Sequence, residues 1–96
     1  MSAYIVVDVT IHDPQRYKEY VELVPSLIEK HQGRPLVRGG DVEVIEGDWR
    51  PQRLVVLEFP SKGHAEAFLQ DPDYASVGAI RHAAATSNLI MVEGLT

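Results

Sequence analysis

Leu36-Val37-Arg38-Gly39-Gly40, then Val42-Glu43-Val44-Ile45-Glu46-Gly47-Asp48-Trp49, then Arg53-Leu54-Val55-Val56-Leu57-Glu58-Phe59-Pro60-Ser61 make up the stretch that decides the fold. Its β-branched and apolar residues predict two strands, Leu36–Glu46 and Arg53–Phe59, joined through Gly47-Asp48-Trp49-Arg50-Pro51-Gln52. Gly39-Gly40 interrupts the first strand and predicts a bulge or sharp bend there. The second is apolar on both faces at Leu54-Val55-Val56-Leu57, and Pro60-Ser61 stops it.

Toward the N-terminus, Tyr4 to Ile11 reads as a strand, with Ile5, Val6, Val7 and Val9 β-branched. Asp13-Pro14 supplies a capping carboxylate and a proline at the first helical position, where its missing N–H costs nothing. Tyr17, Tyr20, Val21, Val24, Leu27, Ile28 and His31 then recur at steps of three and four, the period of an amphipathic helix. Pro25 is expected to kink that helix or end its first half, and Gly33 to close it as the residue after the C-cap. Toward the C-terminus, Ser61 caps a short helix through Leu69. Asp71-Pro72 repeats the start signal and opens a helix over 72–84, and Ser87–Glu93 is a closing strand that Gly94 ends.

The order is β-α-β-β-α-β with the second helix split. It predicts one α+β domain over residues 1–96, with the ferredoxin-like plan of a four-stranded antiparallel sheet and its helices on one face. In that plan the first and third strands are central, and one sheet face has no helix over it. Ile5-Val6-Val7 and Leu54-Val55-Val56-Leu57 would leave that face apolar, where a solvated face would alternate. A contiguous apolar patch of that size predicts a homodimer through the open sheet face.

Composition narrows the functional classes. The 96 residues carry a net charge of −5 and no Lys/Arg stripe, which argues against nucleic acid or an anionic membrane as partner. Without cysteine there is no disulfide or thiolate chemistry, as suits a reducing cytoplasm. Met1-Ser2-Ala3 leads into a strand without a basic region, so no secretory signal is expected. No apolar run approaches the roughly 20 residues of a membrane span.

Three further features join the central stretch: Asp13-Pro14 with Tyr17, then Tyr74 and Arg81, then the closing Val92-Glu93-Gly94. Together these motifs resemble, over nearly the whole chain, the small bacterial proteins called domain of unknown function 1330. The resemblance implies a dimeric α+β barrel, in a superfamily that includes small monooxygenases, isomerases of aromatic breakdown and haem-dependent relatives. The family itself has no agreed activity. Phe68 and Leu69 stand where it often carries tryptophan or tyrosine.

Five residues are candidates for chemistry. Glu58, on a strand with apolar neighbours, is either ion-paired or has a raised pKa that suits a general acid or base. His31 ends the core stripe of the first helix, where it would line a cavity or bond a helix-end carbonyl. Arg38, re-aimed by the glycine bend, would grip a ligand's carboxylate, or pair with Glu58, Glu46 or Asp48. Arg81 lies on the side of Val77 and Ile80, as a pocket-facing guanidinium or a helix-end charge. Tyr20 faces inward with Tyr17 and needs a partner for its hydroxyl. Trp49 is expected to pack over the end of the barrel or in the dimer contact.

No His/Asp/Glu spacing fits a metal, no glycine loop precedes a helix or lysine as phosphate binding requires, and Ser87 lacks a nucleophile elbow. No metal or cofactor is therefore expected. The sequence predicts a cytoplasmic homodimer with a small-molecule cavity, a cofactor-independent enzyme moving protons on a small anionic or aromatic organic molecule. The alternative is a non-catalytic ligand-binding or stress-related dimer with structural polar residues.

Overall fold

Ala3, Ile5, Val7 and Val9 are the buried residues of the first strand, and the half-exposed residues between them face the other way. That alternation sets the two faces of the sheet. In a computed structural model describing all 96 residues, the elements are β1 (Ala3–Ile11), α1 (Pro14–Lys30), β2 (Arg34–Arg38), β3 (Arg53–Phe59), α2 (Lys62–Gln70), α3 (Pro72–Ala84) and β4 (Ala85–Glu93). The sheet is antiparallel in the order β2-β3-β1-β4, so β1 and β3 are central. This is the ferredoxin-like architecture, with its second helix split at Asp71 between α2 and α3. No helix is long and apolar enough to cross a membrane.

The core forms where the odd positions of β1 meet the helices. Phe59 and Phe68 are wholly buried with ring centroids 5.2 Å apart, and Tyr74 lies 4.5 Å from Phe68 on its other side. Gly33 gives Phe59 its place, since a Cβ there would come within 2.7 Å of the ring. Asp13 and Ser61 accept hydrogen bonds from the amides of Arg16 and His64, capping α1 and α2 as their sequence positions predict.

Four local expectations are corrected. First, β2 covers Arg34–Arg38 and not Leu36–Glu46: Gly39, at φ +74, turns the chain out of extended geometry, and residues 40–52 contain no strand. Second, the register shift falls between Pro35 and Val37 and not at Gly39-Gly40; Pro35 has no N–H for the ladder. Third, α1 runs unbroken through Pro25 to Lys30, and Gln32 takes the left-handed position expected of Gly33, at φ 63. Fourth, β4 starts at Ala85, directly from α3, two residues before Ser87.

The open face is banded. Val37, Val56, Val6 and Ile90 stand on one rung across all four strands. The rung above holds Arg34, Glu58, Tyr4 and Val92, and the one below holds Leu54, Asp8 and Asn88. An apolar bar thus crosses the sheet between partly polar rungs, with Ile90 59% exposed. Trp49, 60% exposed, reaches this face from the 40–52 loop and donates from Nε1 to Asp8 Oδ2 at 2.8 Å.

Candidate functional site

A cavity of about 300 Å³ lies between the helix-side face of the sheet and helices α1 and α3. That volume is at the lower end of small-molecule sites. Val7, Val55 and Leu89 form its floor, Tyr17, Tyr20 and Val24 its α1 wall, and Phe68 and Tyr74 close it toward α3. Among the residues lining this mostly apolar space are three arginines that belong to no ion pair: Arg38, Arg53 and Arg81.

Arg81 is the most enclosed of them, at 6% exposure. Helical spacing puts it on the buried face of α3 with Tyr74, Gly78 and Ala84. Its Nη1 donates to Ser87 Oγ and its Nη2 to His82 Nε2 at 3.3 Å, and its Cζ sits 5.9 Å from the centre of the Tyr20 ring. Its Nε is buried without a partner. A guanidinium is always charged, and burying it without a counter-ion is unfavourable. Arg53 repeats the situation on β3, with a buried, partnerless Nε and Cζ 5.6 Å from the Tyr17 ring centre. Gly39 makes room for it, since a Cβ there would lie 2.7 Å from Arg53 Cζ. Arg38 is exposed at the mouth.

Tyr20 and Tyr74, two of the three lining tyrosines, pair their hydroxyls, whose oxygens are 3.4 Å apart. Burial, with Tyr74 beside it, pushes the Tyr20 phenol well above its ordinary value, so it is a neutral hydrogen-bond donor or acceptor at any physiological pH. Glu29, exposed on α1, is the one carboxylate among the lining residues and makes no ion pair. Apolar walls with arginines and neutral hydroxyls can take the charge of a small organic anion and desolvate its body.

Arg38, Arg81 and Tyr20 thus come together at the cavity, whereas Glu58 and His31 lie outside it. Glu58 belongs to the opposite face, because strand alternation sends it away from its neighbours Leu57 and Phe59. Arg34 Nε donates to it at 2.8 Å and the Tyr4 hydroxyl at 3.0 Å, and these bonds hold its carboxyl below its usual range: of the two alternatives, the structure has the ion pair and not the raised pKa. The anticipated Arg38 pairings with Glu58, Glu46 or Asp48 do not occur; Arg34 has the Glu58 position.

His31 is drawn to Asp71. Its Nε2 donates to Asp71 Oδ2 at 2.7 Å, Lys30 Nζ reaches the same oxygen at 2.9 Å, and the Asp73 amide donates to Oδ1 at 2.8 Å. The buried Asp71 therefore fastens the end of α1 to the start of α3. Hydrogen bonds from His31, Lys30 and the Asp73 amide hold its carboxyl far below the usual carboxylate range. The folded protein keeps this charge where the unfolded chain takes up a proton. The resulting stability is full above about pH 4 and is lost as the pH falls from there toward the folded value. Melting temperatures between pH 2 and pH 6 should drop more steeply for the wild type than for Asp71→Asn; parallel curves would contradict this role.

Sequence reasoning passed over Arg53, Tyr74 and Asp71 as site or tethering residues. Arg53 was within reach, since alternation from Val55 and Leu57 places it on the helix-side face. Asp71 was read only as a helix start, and no local pattern joins it to His31 forty residues earlier.

Comparison with known proteins is consistent with this architecture. The family model described as "Domain of unknown function (DUF1330)" matches residues 2–95. Among solved structures, a protein of unknown function from Rhodopseudomonas palustris superposes with a TM-score of 0.81 at 19% identity, covering 99% of this chain and 83% of that one. A dimeric ferredoxin-like protein of unknown function from Jannaschia sp. gives 0.77 at 14% identity, with 98% and 100% covered. SnoaB, a cofactor-independent oxygenase from Streptomyces nogalater, gives 0.69 at 12% identity, with 99% and 94% covered. At these identities the likeness is one of fold. No match is found among curated proteins.

Proposed function

As the chain belongs to the DUF1330 family, whose description names no activity, we propose a function from the cavity itself: binding of a small organic anion with an apolar or aromatic body. The observation that carries this is the buried guanidinium of Arg81, with a partnerless Nε and no carboxylate paired to it. A ligand carboxylate or enolate there would gain charge-assisted hydrogen bonds, while the valines and aromatic rings take its body out of water. The protein would work as a homodimer in the cytoplasm. The apolar bar on the open sheet face and the dimeric ferredoxin-like relatives support the first part, and the cysteine-free composition fits the second.

Benzoate is a suitable probe, with benzamide as its uncharged counterpart. In calorimetric titration benzoate should bind at least about tenfold more tightly than benzamide, and Arg81→Gln should remove that preference, since a charged hydrogen bond contributes roughly 1.5–3 kcal/mol. Equal binding of the two probes, unchanged in the variant, would defeat the reading.

A catalytic version of this function has its own support in the Tyr20–Tyr74 hydroxyl pair beside Arg81. A hydroxyl pair next to a fixed positive charge suits electrostatic stabilisation of a bound enolate or phenolate. In it Arg81 holds the anion and Tyr20 donates, while the exposed Arg38 adds positive charge at the mouth. Glu58 and His31, engaged with Arg34 and Asp71, have structural parts, as they would in the non-catalytic alternative.

A further inference from the structure

We infer that the cavity is built for a dianion, with a second anionic group held by Arg53 and Arg38 opposite the one held by Arg81; the inference rests on the Arg81 reading above. The pairing of β2 with β3 puts Arg38 across from Val55, and Arg53 lies two residues before Val55 on the same face. The two arginines are therefore diagonal neighbours, with backbones roughly 7–8 Å apart. Two cations on neighbouring strands repel one another, and an anion between them would relieve that repulsion. No side chain of the protein provides one: Glu58 is on the other face with Arg34, and neither arginine forms an ion pair. The buried Nε of Arg53 has no partner, and its guanidinium rests on the Gly39 backbone, a position that only a glycine leaves free.

The second subsite is separated from the first by apolar ground. Val9 of β1 pairs with Arg53 on one side and with Ser87 on the other. Ser87 accepts the hydrogen bond of Arg81, so the two cations are attached on either side of β1, at strand positions whose backbones are two strand spacings, roughly 9–10 Å, apart. Between them lies Val9, and the floor residues Val55, Val7 and Leu89 form the next rung on the same face. The order is cation, apolar floor, cation, in a chain whose net charge is −5. Its complement is an organic molecule with an acidic group at each end of a short apolar or aromatic middle, the class of small dicarboxylates. Long-range attraction does not draw anions to so acidic a chain, so selectivity has to come from this local geometry.

The test compares benzoate with isophthalate, which adds a second carboxylate to the same ring. Titrated calorimetrically at low salt, isophthalate should bind the wild type at least about tenfold more tightly than benzoate, and its affinity should fall more steeply with added salt. Arg53→Gln should abolish the preference for isophthalate over benzoate, with isophthalate losing at least about tenfold more affinity than benzoate. Arg53→Lys should restore part of the difference, while Arg81→Gln should weaken both ligands. Benzoate and isophthalate binding the wild type equally would overturn the second subsite and leave the Arg81 reading standing. So would an equal loss of both in Arg53→Gln. If neither ligand binds, the Arg81 reading falls, and the dianion site falls with it. The wild-type comparison decides the matter even if a variant does not fold.

Discussion

Exchanging Phe68 for alanine should lower the melting temperature by at least about 12 °C. Phe68 is 1% exposed and touches three elements of the fold: its ring stacks at 5.2 Å on Phe59 of β3, at 4.5 Å on Tyr74 of α3, and edge-on at 6.2 Å to His31 at the end of α1. Truncating a buried phenylalanine costs about 3–5 kcal/mol, because the lost transfer energy is compounded by an unfilled hole. In a domain of this size each kcal/mol moves the midpoint by roughly 4–8 °C. The hole would open into the cavity that Phe68 already lines, so partial collapse is a weak remedy. Leu23→Ala, at a position 48% exposed, is the control and should cost less than about 1 kcal/mol. Thermal unfolding followed by circular dichroism reads both; similar losses for the two would contradict the role given to Phe68.

The second large effect concerns the open face of the sheet. Ile90→Asp should turn the proposed dimer into a monomer while leaving the monomer folded. Ile90 lies on edge strand β4, at the end of the apolar rung with Val6, Val56 and Val37, and it is 59% exposed in the single chain. An aspartate there is solvated in a monomer. In a two-fold dimer that stacks this face, it would be buried without a partner, and symmetry would bury two of them. A penalty of several kcal/mol raises the dissociation constant by at least about a hundredfold. Sedimentation velocity at micromolar concentration should show a dimer for the wild type and a monomer for the variant. A wild-type monomer, or a variant that stays dimeric, would contradict the account.

The fold was legible wherever local chemistry and strand period agreed. Asp13-Pro14 and Asp71-Pro72 do open helices, and β3 has the predicted bounds, because capping side chains and β-branched runs act over a few residues. The 40–52 segment misled. Val42, Val44 and Ile45 have strand propensity, but Gly39 at φ +74 ends the pairing before they can use it. Ile45 is left 84% exposed. Propensity of this kind depends on a partner strand, which a window of sequence does not contain.

The candidate site was legible to a lesser degree, for a related reason. Helical spacing was enough to turn Arg81 and Tyr20 inward. Glu58 drew attention through its apolar neighbours, yet alternation puts those neighbours on one face and the carboxylate on the other, where Arg34 and Tyr4 are waiting. His31 sits beside Phe68 as its place in the core stripe implies, but Asp71, which turns its ring to the α1–α3 junction, comes from a distant part of the chain. Arg53 was hidden in plain view at the start of the most apolar strand.

The central claim is that Arg81 holds the charge of a small organic anion inside the cavity. A crystal structure of the protein grown with benzoate tests it most directly. The account predicts the carboxylate within hydrogen-bond distance of Arg81 Nε, with the ring over Val7, Val55 and Leu89. Benzoate bound elsewhere on the protein, with the cavity empty and Arg81 Nε still without a partner, would contradict it.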